Sequence, residues 1–248
     1  MPKVSIITPA FNARKYLHET IQSVEQQTFT DWEMIIVDDC SKDETFNIAC
    51  SFAKKDNRIK VIQNQKNSGV AATRNAALDV ATGDYVAFLD SDDKWMPDKI
   101  EKQLSFMEKN GYALTYTMYQ VFNSDTGKLG KIIKIPKKMT HDAIFSNTII
   151  ACLTVMVNRK MVGKFYMPLI NHTEDQCTWQ NILGRGYVAF GLKENLALYR
   201  EGNESLTKSK IHAIKKQWKT YREYHRLSVI KSSFYFTGYA VNAIIKHF

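Results

Sequence analysis

The first 110 residues repeat one alternation of apolar and polar positions. A short apolar run is followed by a polar turn, then by a longer stretch with apolar residues every three or four positions. The runs Val4–Thr8, Glu33–Val37, Ile59–Ile62 and Tyr85–Leu89 are short, apolar and bounded by turn residues, as strands of a buried parallel sheet are. The stretches between and after them predict helices over Arg14–Gln26, Glu44–Lys54, Gly69–Ala81 and Pro97–Lys109. Ser41-Lys42-Asp43-Glu44 reads as a helix start, and Pro97 suits a first helical position, where its missing N–H costs nothing. Strand and helix in strict alternation predict an α/β fold, a mostly parallel sheet with helices on both faces.

The pattern changes after about Tyr112. Tyr112–Phe122 and Lys131–Ile135 read as longer strands around the turn Asn123-Ser124-Asp125-Thr126-Gly127, which predicts an antiparallel pair. A helix is expected over Glu174–Leu183, then separate strands near Tyr187–Phe190 and Ala197–Tyr199. From Ser209 the pattern is helical. No repeat, low-complexity stretch or Pro/Gly linker interrupts the chain. The expected organisation is a body over 1–207, with halves 1–110 and 111–207, and a helical tail over 208–248.

Composition narrows this picture. At 248 residues with 44% hydrophobic content, the chain can bury one large core. Met1-Pro2-Lys3 leads straight into a strand pattern, which predicts no cleaved leader, and no apolar run approaches the ~20 residues of a membrane span. The cysteines Cys40, Cys50, Cys152 and Cys177 lack metal-site spacing and fit a reduced, cytoplasmic protein. The net charge of +9 would point to nucleic acid if it were spread over the body. It is not: residues 208–248 hold nine Lys and Arg against one Glu, a net +8, leaving the body near neutral. Ile230, Phe234, Val241, Ile244 and Phe248 share one helical face in this basic tail. Such a helix fits peripheral contact with an anionic membrane, here the inner face of the plasma membrane. Packing on the body, or on a second subunit as a homodimer, is the alternative.

Candidate chemistry gathers at the strand ends, where ligands bind in doubly wound sheets. Asp90-Ser91-Asp92-Asp93 crowds three carboxylates into four positions, which repel unless a hard cation such as Mg²⁺ or Mn²⁺ sits among them. A capped acidic loop before Pro97 is the plain structural alternative. The first strand ends in Pro9-Ala10-Phe11-Asn12, offering an aromatic platform. The second ends in Asp38-Asp39-Cys40-Ser41, offering a carboxylate to a base N–H. Asn67-Ser68-Gly69 leads into a helix that carries Arg74. These are the needs of a nucleoside diphosphate, at one edge. A nucleotidyltransferase of Rossmann type would show a Gly-rich phosphate loop after the first strand, and this chain does not.

The matching residues are numerous and ordered. They run through Val4-Ser5-Ile6-Ile7-Thr8-Pro9, Phe11-Asn12, Gln27-Thr28-Phe29, Val37-Asp38-Asp39, Arg74-Asn75, Gly83-Asp84-Tyr85 and Phe88-Leu89-Asp90-Ser91-Asp92-Asp93. In this order they resemble glycosyltransferase family 2, densely over residues 4–110 and more thinly to about 207. The resemblance implies the GT-A fold and an inverting, metal-dependent transfer. A sugar would pass from a nucleotide-sugar, foremost a UDP-sugar, to a glycan or lipid-linked saccharide in bacterial cell-surface polysaccharide synthesis. It implies nucleotide contacts for Pro9, Phe11, Asn12, Asp39 and Arg74, a place for Asp90 near ribose or metal, and Mn²⁺ or Mg²⁺ on Asp92, with Asp93 as rival.

Thr173-Glu174-Asp175-Gln176-Cys177-Thr178-Trp179 is similar to the family's Glu-Asp motif and implies Asp175 as general base, with Glu174 as the local rival. Tyr199-Arg200 with Ser205-Leu206-Thr207 resembles its closing segment, with Arg200 near the diphosphate; His172 reads as structural. The family usually has Tyr where this chain has Phe11, and Gly where it has Cys40. Lys216-Gln217-Trp218 does not match the processive-synthase signature, which implies one sugar per encounter. A non-catalytic GT-A-like scaffold is the other alternative.

Overall fold

The structure is a computed structural model that describes residues 1–124, 126–170, 173–201 and 210–247, without the side chains of 210–213 and 243–247. Four strands form the parallel part of its first half: β1 (Val4–Ala10), β2 (Trp32–Asp38), β3 (Ile59–Gln63) and β4 (Tyr85–Phe88). They are parallel in the order β3-β2-β1-β4, with Ile6 level with both Met34 and Ala87. Alternate residues serve two cores. Val4, Ile6, Met34 and Ile36 point to one face, where α1 (Leu17–Glu25), α2 (Thr45–Ala53) and α4 (Lys99–Asn110) pack. Ile7, Ile35, Val37 and Phe88 point to the other, under α3 (Val70–Val80) and α7 (Glu174–Leu183). Double burial is the reason β1, β2 and β4 read as apolar runs, whereas β3 at the sheet edge exposes Lys60 and Gln63.

The second half joins the same sheet. β9 (Met156–Asn158) is inserted antiparallel between β4 and β6 (Leu114–Asn123), so Met156 lies level with both Ala87 and Thr115. Three residues are too few to show a period, and the sequence pattern did not mark this strand. β7 (Leu129–Ile133) runs antiparallel to β6, as the turn at Asn123–Gly127 predicts.

The two strands expected near Tyr187–Phe190 and Ala197–Tyr199 are in fact one, β10 (Ala189–Glu201), parallel to β6. Its register shifts between Leu192 and Asn195 and again before Ala197. This irregularity lets Lys193 and Glu194 interrupt the apolar pattern without ending the strand. β10 also pairs antiparallel with β8 (Lys138–Met139) and with β5 (Lys94–Trp95), which follows the Asp90–Asp93 run directly. Short helices α5 (His141–Phe145) and α6 (Arg159–Val162) complete the body.

The tail comprises α8 (Lys210–Lys219), a π-helical turn at Thr220–Tyr224 and α9 (Val229–His247). Its inner side packs on the body. The hydroxyls of Thr220 and Thr173 lie 3.0 Å apart, Asn181 Nδ2 donates to the Tyr224 hydroxyl at 2.8 Å, and Tyr235 stacks on Phe145 with centroids 4.9 Å apart. The Tyr221 hydroxyl donates to the Phe145 carbonyl. Among the described residues, no helix is long and apolar enough to cross a membrane.

Candidate active site

The rim of the site is laced from the loops after β1 and β2. Asn12 N–H donates to Ser41 Oγ at 2.9 Å, Asn12 Oδ1 accepts from Lys42 N–H at 2.8 Å, and Ala13 N–H donates to Thr45 Oγ1 at 2.7 Å. Pro9 is buried in β1, level with Val37, while Phe11 beyond it is 49% exposed and presents an aromatic face at the rim. Asn12 and Cys40 both hold the left-handed backbone, with φ of +50° and +62°. At position 40 this explains the family's preference for Gly, which adopts that conformation without a Cβ penalty.

Asp39 turns inward. Its Oδ1 accepts from Asn64 Nδ2 at 2.8 Å and Ser68 N–H at 2.9 Å, and its Oδ2 accepts from Gly69 N–H at 2.9 Å. These bonds satisfy backbone donors that the start of α3 would otherwise leave open. Asp39 thereby fastens the helix that carries Arg74.

Arg74 is buried between two carboxylates from distant parts of the chain. Nη2 reaches Asp90 Oδ1 at 2.5 Å and Nη1 reaches Glu174 Oε1 at 2.9 Å. The next residue repeats the span: Asn75 Nδ2 donates to the Met167 carbonyl and Asn75 Oδ1 accepts from Met167 N–H, both at 2.8 Å. Two adjacent side chains of α3 thus clasp the second half. Glu174 is consumed by this pairing. Asp175, one residue on, is only half-buried, with Oδ1 accepting from Gln176 N–H at 2.7 Å. Desolvation, and after it the Glu174 charge, push the Asp175 carboxyl up to about 6, against the pull of Arg74.

The acidic run divides by direction. Asp93 is 2% exposed, and its Oδ1 accepts from Arg200 N–H at 2.7 Å. Burial and the neighbouring carboxylates Asp92 and Asp90 raise its carboxyl well above the usual range. Asp92 keeps an exposed edge, and desolvation followed by the Asp90 charge raises its carboxyl to about 6.

Arg200 is held by structure as well. Nε donates to the Asp92 carbonyl at 2.5 Å and Nη2 pairs with Glu19 Oε2 at 2.9 Å. Its guanidinium lies 4.1 Å from the Tyr16 ring centre and 4.5 Å from that of Phe122. Among the described residues no three His, Cys, Asp or Glu side chains form a ready metal cage. The donor set still suits a hard cation. Asp90 and Asp92 crowd two carboxylates at an open edge, and a cation there would complete its shell from phosphate oxygens and water.

The pattern brings Asp90, Asp92, Arg74 and Asp175 around one edge and turns Asp39 and Asp93 into the protein. Sequence reasoning missed Glu174 as the partner of Arg74, Asn75 as a clasp, and Glu19, Tyr16 and Phe122 around Arg200. The adjacency of Arg74-Asn75 and of Glu174-Asp175 was the available signal. Ser205-Leu206-Thr207 and His172 lie outside the described residues.

Comparison with known proteins gives this geometry its family. The model of the family described as Glycosyl transferase family 2 matches residues 5–165. TuaG of Bacillus subtilis, a glycosyltransferase assigned by name to teichuronic acid biosynthesis, is 47% identical over 245 residues, covering 99% of this chain and 97% of its own. WfgD of Escherichia coli, named as a UDP-Glc:alpha-D-GlcNAc-diphosphoundecaprenol beta-1,3-glucosyltransferase, is 35% identical, covering 98% of this chain and 94% of its own. Among solved structures, Staphylococcus aureus TarS 1–349 in complex with UDP-GlcNAc superposes with a TM-score of 0.71 at 19% identity, over 96% of this chain and 71% of that one. The mannosyltransferase PcManGT of Pyrobaculum calidifontis, in complex with GDP-Man and Mn²⁺, gives 0.70 at 17% identity, over 98% and 73%. These two likenesses establish the fold, GT-A. The chain belongs to glycosyltransferase family 2.

Proposed function

We propose that this glycosyltransferase moves a sugar from a UDP-sugar to a lipid-linked saccharide with inversion, one sugar per encounter, in bacterial surface polysaccharide synthesis. The observation that carries the reading is the unequal fate of two neighbouring carboxylates. Glu174 is buried and paired with Arg74, whereas Asp175 keeps an open side and a raised carboxyl. A base that takes a proton from an acceptor hydroxyl must be reachable and close in pKa to the working pH. Asp175 meets both conditions, whereas Glu174 is buried against Arg74 and out of an acceptor's reach.

The donor half, 1–110, offers Phe11 as a face for the base and the Asn12 rim beside it. The acceptor half, 111–207, offers Asp175. Asp92, with Asp90 beside it, would hold Mn²⁺ or Mg²⁺. When bound, the ion would stabilise charge developing on the departing diphosphate. WfgD is named for a UDP-Glc donor and a diphosphoundecaprenol-linked acceptor, and TarS was solved with UDP-GlcNAc, which supports the donor and acceptor classes.

A panel of UDP-, GDP- and dTDP-sugars, scored for nucleotide release with Mn²⁺ and with EDTA, tests the reading. Asp175→Asn should lower turnover by about 10²–10⁴-fold while UDP with Mn²⁺ still raises the melting temperature. The base works deprotonated, so the rate should fall about tenfold per pH unit once the pH drops below about 6. Full activity in Asp175→Asn would remove the base, and indifference to EDTA would remove the metal.

A further inference from the structure

Helix α9 has two faces of opposite fate. Ser232, Tyr235, Gly238, Tyr239 and Asn242 line the inner face, at the spacing of one helical stripe. A Cβ at Gly238 would stand 2.7 Å from Ser146 Oγ, and Asn242 Nδ2 donates to the Ser146 carbonyl at 2.9 Å. The helix therefore lies tight on the body. On the opposite side, Ile230 is 83% exposed, Phe234 74% and Val241 51%. A helix already packed on one side normally turns charge and polar groups to solvent on the other. Here the outer stripe is apolar.

Charge decides the occupant. The chain from 208 to 248 carries a net +8, and Lys215, Lys219, Arg226 and Lys231 are exposed along it. A two-fold contact between copies through this stripe would bring Lys231 and the exposed cations near it towards their own copies. A negatively charged lipid surface meets both demands. It takes the apolar stripe into its acyl boundary and the lysines into its headgroup layer. The absence of a spanning helix among the described residues leaves lying on the surface as the mode of contact.

We propose that the outer stripe of α9, Ile230, Phe234 and Val241 with the flanking Lys231, docks this protein on an anionic lipid bilayer. The inner face then transmits the orientation. The π-turn between α8 and α9 grips α7 through Thr220 against Thr173 and through Tyr224 on Asn181, so the helix carrying Asp175 is set relative to the bilayer. Docking stands on the surface alone and does not depend on the chemistry proposed for the site.

The test is co-sedimentation of the full chain with vesicles of phosphatidylcholine alone and with added phosphatidylglycerol, together with the mass in solution. Binding should require the anionic lipid and weaken as salt rises. Ile230→Ser with Phe234→Ser should lower it at least about tenfold, and Lys231→Gln roughly fivefold. Leu129→Ser, at an exposed apolar site on β7, should leave it unchanged, and all variants should keep the parent melting profile. Equal binding to neutral vesicles would overturn the proposal, as would unchanged binding of the double variant. A dimer that the double variant converts to monomer, without vesicle binding, would instead assign the stripe to a second copy. Because nucleotide release is measured on soluble protein, losing vesicle binding while keeping release separates failure here from failure of the transfer reading.

Discussion

Two buried arginines hold the Asp90–Asp93 loop, and they hold it differently. Arg74 meets carboxylates with its guanidinium, bridging Asp90 and Glu174 across 16 and 100 positions of sequence. Arg200 offers Asp93 only its backbone N–H and spends its guanidinium on the Asp92 carbonyl, Glu19 and two aromatic rings. The first knot is electrostatic and joins the donor edge to the base motif. The second is packing with a partly exposed ion pair at its rim. A charge pair hidden from water loses far more when broken than one with a solvated partner.

The sharpest way to break this contrast is Arg74→Met. It leaves Glu174 buried without a counter-charge and should cost about 3–5 kcal/mol in urea unfolding. Adding Glu174→Gln should recover a large part of that loss, because the orphaned charge is then gone. No recovery would mean that Arg74 acts through packing instead. Arg200→Met should cost less, about 1–2 kcal/mol, since Glu19 is 47% exposed and can return to water. Equal losses at the two sites would erase the distinction. The smallest expected effect lies on the rim. Cys40→Gly relieves a left-handed backbone and should shift stability upward by about 0.5–1 kcal/mol, visible as a rise in melting temperature.

The two halves of the chain also differ in how plainly they can be read. β1, β2, β4 and their helices follow the apolar pattern because each of these strands is buried on both faces and each helix on one. α7 begins and ends where the pattern places it, at Glu174 and Leu183. β9 escaped because three residues in an apolar stretch carry no period. β10 reads as two strands in the sequence because its register slips around Lys193-Glu194, beyond which pairing with β6 resumes. A lone cation early in a helix says nothing about which anion it will meet, and the pairing of Arg74 with both Asp90 and Glu174 is visible only in the fold.

Sequence alone determined the α/β alternation, the edge at which polar residues collect, the family, and the concentration of charge in the last 41 residues. These properties are local or additive, and survive in a linear string. Tertiary structure alone decided that Asp39 and Asp93 turn inward, that Glu174 rather than Asp175 is spent on Arg74, and that α9 packs by one face and bares the other. Each of these depends on which groups from distant segments compete for the same buried space and hydrogen-bond donors. No local pattern records the outcome of that competition.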